Sequence, residues 1–106
     1  MRKLLILGAL LAAQIAPSDK SLITVKNSEV SGGVVIVSAV VGKTPVELQC
    51  NKGAAFCTVL EAGDYLMVRL PKNFGLYDCQ NADVYPKSAD PEKADKIGEY
   101  CLAERK

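Results

Sequence analysis

Histidine is absent from the 106 residues. That excludes a Ser-His-Asp or Cys-His nucleophile, because no imidazole is there to take the proton. None of the four cysteines forms a C-x-x-C pair, and without short chelating loops or histidine a structural zinc site is not expected. No apolar run reaches the roughly 20 residues that carry a helix across a hydrocarbon core of about 30 Å. Nor is one sign of charge in excess: 13 Lys and Arg stand against 12 Asp and Glu. The lysines are scattered singly, so there is no electrostatic footprint for nucleic acid and no polybasic run for a membrane surface.

The N-terminus differs from the rest of the chain. Met1-Arg2-Lys3 is a short basic segment, Leu4 to Ala13 is apolar, and small residues follow at Ala12-Ala13 before Gln14. This is the order of a secretory signal peptide, expected to span 1–13 and to be removed. A flexible leader over 14–20, containing Pro17, then precedes a single β domain over 21–106. Loss of Arg2 and Lys3 leaves 11 basic residues against 12 acidic ones, a net formal charge of −1. The protein is expected to be secreted or periplasmic, with no membrane span in its mature form.

Cys50, Cys57, Cys79 and Cys101 all lie in the mature part. An even number in an exported chain argues for two disulfides. Four cysteines allow three pairings. Cys50 with Cys57 would close the six-residue N-K-G-A-A-F connection, and Cys79 with Cys101 would then tie the closing strand to the segment after the central turn. That pairing is preferred, and the other two remain open.

Strands dominate the mature part. Leu22 to Lys26 is rich in β-branched residues, and Asn27-Ser28 with Ser31-Gly32-Gly33 supply turn chemistry. Val34 to Val41 is apolar at both alternating positions, as in a strand covered on two sides. Val46-Glu47-Leu48-Gln49-Cys50 alternates, placing Val46, Leu48 and Cys50 inside. Asp90-Pro91-Glu92 has the N-cap and N1 residues of a helix, with Glu92 and Lys96 four apart, which predicts one or two turns. Ala82 to Tyr85 and Ile97 to Leu102 close the set.

The stretch Cys57 to Leu70 organises these segments. In Leu60-Glu61-Ala62-Gly63-Asp64-Tyr65, Gly63 can take positive φ cheaply, and Tyr65 can bury its ring and return its hydroxyl to the backbone, as in a tyrosine corner. Over Val59 to Leu70 the chain resembles the L-x-x-G-x-Y turn and strand of transthyretin-like, carboxypeptidase-regulatory-like and PEGA sandwich modules, with Ala62 where those usually carry Pro. The resemblance implies a non-catalytic accessory or adhesive module. The expected fold is therefore all-β: a small antiparallel β-sandwich, Ig-like or transthyretin-like, of six or seven strands, with two disulfides and at most one short helical turn.

A mature domain of about 93 residues buries only roughly 60 to 65% of its unfolded surface, and two staples suit so modest a core. Its acids fall in turns or on outward strand positions, as Glu47, Asp64 and Glu99 do, where no catalytic carboxylate pair in a deep cleft is expected. No enzyme activity and no cofactor are expected. The function expected is an exported binding or structural module with a protein or glycan partner in the envelope; a secreted inhibitor of a lysozyme or protease is the alternative. Lys72, Asn73, Phe74, Tyr77 and Asp78 crowd two aromatics among polar residues and make the candidate partner-binding edge, against the alternative, preferred for so small a core, that Phe74 and Tyr77 fold back as a lid over its end. For an inhibitor, Lys52 in the short disulfide loop or Phe74 would be the anchor.

Overall fold

The computed structural model of the chain describes residues 19–71, 74–75 and 77–104. The expected signal peptide, residues 14–18 of the leader, and Lys72 and Asn73 of the candidate edge lie outside them. Six strands follow one another: β1 (Lys20–Ser31), β2 (Val34–Val41), β3 (Thr44–Asn51), β4 (Gly63–Arg69), β5 (Gln80–Pro86) and β6 (Gly98–Glu104). They form a closed antiparallel barrel in the order β1-β2-β3-β6-β5-β4, with β4 paired back onto β1.

The architecture corrects the expected β-sandwich. What closes the sheet is β1, twelve residues long. Its register slips between Val25 and Asn27, leaving a bulge at Lys26. A bulge bends and overtwists a strand. The first half of β1 thus pairs with β4, Lys20 opposite Val68 through Val25 opposite Gly63, while Thr24 to Ser31 pair with β2. The same bulge explains why Asn27-Ser28, expected as a turn, lie within a strand; the reversal falls at Gly32 and Gly33, both at positive φ.

Alternation along the strands supplies one interior. Ile23 and Val25, Val35 and Val37, Val46, Leu48 and Cys50, Met67, Val84, Tyr100 and Leu102 fill it, all under one-tenth exposed. The outer positions of β2, Val34, Ile36 and Val40, are only half-buried. The run is therefore apolar on both sides without being fully covered on its outer side.

Tyr65 packs against the core and its hydroxyl donates to Glu61 O at 2.8 Å, fixing the entry to β4. Both disulfides have the preferred pairing. Cys50–Cys57 spans 5.5 Å between Cα atoms and Cys79–Cys101 spans 5.9 Å, within the usual range for bridged cysteines. The described residues contain no α-helix. At Asp90 the capping chemistry operates, with the Glu92 amide donating to Oδ1 at 3.0 Å, but only a single turn closes, through Ala94 N to Asp90 O at 2.8 Å. One turn does not repay helix nucleation.

Candidate functional site

In β5, Ala82 and Val84 point into the barrel, which puts Asn81, Asp83 and Tyr85 on the outer wall. These three are nevertheless 5%, 6% and 8% exposed. The connections on either side of β5 fold back over the wall and bury them. Asn81 holds the preceding connection: its Oδ1 accepts from Tyr77 N at 2.8 Å, and its Nδ2 donates to Tyr77 O and Cys79 O. Gly75, at φ 108°, lies so close that a Cβ there would overlap the Asn81 side chain.

From the following connection comes Lys96. Its Nζ lies 2.7 Å from Glu99 Oε2 and 3.3 Å from Asp83 Oδ2, and 5.6 Å from the centre of the Phe56 ring. Register makes this cluster, because Asp83 and Glu99 are direct cross-strand partners on the outside of β5 and β6. Like charges placed so close repel, and the ammonium between them offsets that. Burial pushes the Asp83 carboxyl up, and Lys96 only partly opposes it. Burial alone would lower the Lys96 ammonium, but its hydrogen bonds and charge interactions with Glu99 and Asp83 outweigh this and hold it above the ordinary lysine value. The two ends differ because the carboxylate is almost fully desolvated, whereas the ammonium keeps more contact with water.

Phe56 reaches the cluster from the loop that Cys50–Cys57 closes. Its carbonyl accepts from Glu99 N at 2.9 Å, and its φ of 62° is left-handed, unusual for a bulky residue. Phe74 stands on another side, lining a cavity of about 210 Å³ with Asn81, Asp83, Lys96, Glu99 and Tyr100. Both aromatics are open to solvent, Phe56 at 49% and Phe74 at 62%. Beneath them Tyr100 is sealed, its hydroxyl donating to Thr58 O at 2.6 Å. Burial raises its phenol strongly.

The candidate edge is divided by this arrangement. Phe74 joins the Lys96 cavity, but Tyr77 turns away, packs on the core, and accepts a hydrogen bond from Asn51 N at 3.1 Å. Tyr77 and Asp78 stay together, lining a separate depression of about 200 Å³ with Val34, Asn51, Cys79 and Cys101. Lys52 is exposed in the disulfide loop. Phe56, Asp83 and Lys96 were not among the candidates read from the sequence. An acid between alanine and valine in a strand, as Asp83 is, was the one available signal. Among the described residues no group of three or more His, Cys, Asp or Glu is placed to hold a metal ion.

No protein-family model, no curated protein and no solved structure matches this chain. The resemblance to sandwich modules over Val59 to Leu70 therefore finds no support in these comparisons.

Proposed function

We propose that the protein is an exported, non-catalytic binding module, and that its recognition face is the surface around Lys96 bounded by Phe56 and Phe74. One observation carries this reading: two large aromatic side chains are left exposed at the same ion cluster. Exposed aromatics around a polar centre are the usual makings of a binding hot spot. The supporting wall is stiff, since β5 and β6 are each paired on both sides and a disulfide borders the face through each neighbouring loop. Two disulfides also suit an oxidising compartment, outside the cytosol. Capture from envelope and culture fractions by the oxidised mature domain tests the reading. A partner retained by the native protein should be lost with Phe56→Ala/Phe74→Ala. Equal capture by both would refute it.

A secreted hydrolase inhibitor is the second reading, favoured by Phe56. A disulfide loop that fixes a bulky residue at positive φ and exposes its ring presents a rigid anchor at low entropic cost. Assay against lysozymes and proteases separates the two, because this reading requires inhibition that Phe56→Ala abolishes.

A further inference from the structure

We infer that the cavity lined by Phe74, Asp83, Lys96 and Glu99 receives a cationic side chain, an arginine guanidinium or lysine ammonium, presented by a partner protein. The inference rests on the binding-module reading above and adds the chemistry of what is bound. Size limits the ligand first: about 210 Å³ lies below the roughly 300–1,000 Å³ of small-molecule sites and suits one side-chain head group.

Charge decides its sign. Two carboxylates, Asp83 and Glu99, face one ammonium, so the cluster carries a net −1. Each gives one oxygen to Lys96, leaving Asp83 Oδ1 and Glu99 Oε1 without an internal partner among the described residues. No side-chain nitrogen or oxygen among the described residues is both sealed from solvent and unpartnered. Neither of those two oxygens is therefore fully sealed, and Glu99 is the more open of the two acids. An anion would meet both carboxylates at close range. A cation would gain charge-assisted acceptors and the Phe74 ring in the cavity wall. Lys96 already shows that an ammonium is accommodated there, beside the ring of Phe56.

The test uses the full mature chain, oxidised and ¹⁵N-labelled, with four blocked tripeptides as probes: Gly-Arg-Gly, Gly-Lys-Gly, Gly-citrulline-Gly and Gly-Glu-Gly. The arginine and lysine peptides should shift the amides of Gly75, Ala82 and Glu99, less at high salt, and the other two should not. Glu99→Gln should weaken the arginine peptide roughly 3- to 10-fold, as loss of one charge-assisted hydrogen bond predicts. Lys96→Met removes the resident cation and should tighten it by a similar factor. Both positions are partly exposed, and because Lys96→Met leaves the buried Asp83 carboxylate without its ammonium, the folding of that variant is checked first by its amide spectrum. Equal shifts with citrulline, a response to the glutamate peptide or to a neutral chito-oligosaccharide instead, or weaker binding in Lys96→Met would overturn the inference. A captured partner that needs Phe56 and Phe74 but is indifferent to Glu99→Gln and Lys96→Met would also overturn it, leaving the recognition face itself intact.

Discussion

Phe74 and Tyr77 are three residues apart and read alike in the sequence, yet the fold assigns them opposite environments. Phe74→Ala should change stability by no more than about 0.5 kcal/mol, as at other exposed sites. Tyr77→Ala should cost about 2 kcal/mol, below the range for a fully buried aromatic because the ring is only half covered. Urea denaturation of the two variants checks this, and a large loss in Phe74→Ala would mean that its ring is part of the core. Asp83 makes a second prediction, on pH. Its carboxyl is raised above 3.8, so the native state holds that proton more tightly than the unfolded chain does. For such a group stability falls as pH rises from below 3.8 through the native pKa, then levels off. Asp83→Asn removes that loss, so the stability of the native protein relative to the variant should decline as pH rises from below 3.8. A difference that grows in favour of the native protein with rising pH would contradict the raised carboxyl. Little of this cluster was legible in advance. Val46, Leu48 and Cys50 declare their side by alternation with their neighbours, but the meeting of Asp83, Lys96 and Phe56 depends on a strand register and two loop paths that no local pattern encodes.

At the scale of elements, turn chemistry was readable where a glycine or a cap acts within a few residues, and unreadable where it acts across the chain. Gly63 at φ 151° and the Tyr65 hydroxyl bond to Glu61 belong to the first kind. Tyr65→Phe should cost about 0.5 to 1 kcal/mol, the net worth of one solvent-accessible hydrogen bond. Gly75 belongs to the second kind. Its role comes from Asn81, six residues on in the next strand, against which any Cβ would press. Gly75→Ala combines a strained φ with that overlap and should cost about 1 to 3 kcal/mol, shifting the loop that carries Phe74. Amide shifts confined to the connection between β4 and β5 and to Asn81 would be the signature. Unchanged spectra there would show that the connection yields freely.

For the whole molecule, the sandwich expectation failed for a physical reason: two facing sheets and a closed barrel both need strands with one apolar side, so alternation cannot distinguish them. The distinction lies in whether an edge remains. At Thr24 and Val25 the chain is paired on both sides, to Val40 and Ala39 in β2 and to Asp64 and Gly63 in β4. Beyond the bulge at Lys26, Asn27 to Ser31 pair with β2 alone. Native-state hydrogen exchange therefore has a pattern to find. The amides of Thr24 and Val25, and of Cys101 and Leu102 in β6 between β3 and β5, should exchange only on global opening, because barrel closure leaves them no free side. Along Asn27 to Ser31 the amides that face away from β2 should exchange orders of magnitude faster. In an open sandwich β1 would be an edge along its whole length, and fast exchange would continue through Thr24 and Val25. Slow exchange on both sides of the bulge would instead mean that another segment covers the end of β1. Reduction of the disulfides should leave this ordering in place while lowering its ceiling. In the chain-entropy model the bridges spanning 7 and 22 residues contribute about 2.4 and about 3.4 kcal/mol. The slowest amides should accelerate together, and selective fraying of β4 from β1 in the oxidised protein would show that the closure is weaker than its register implies.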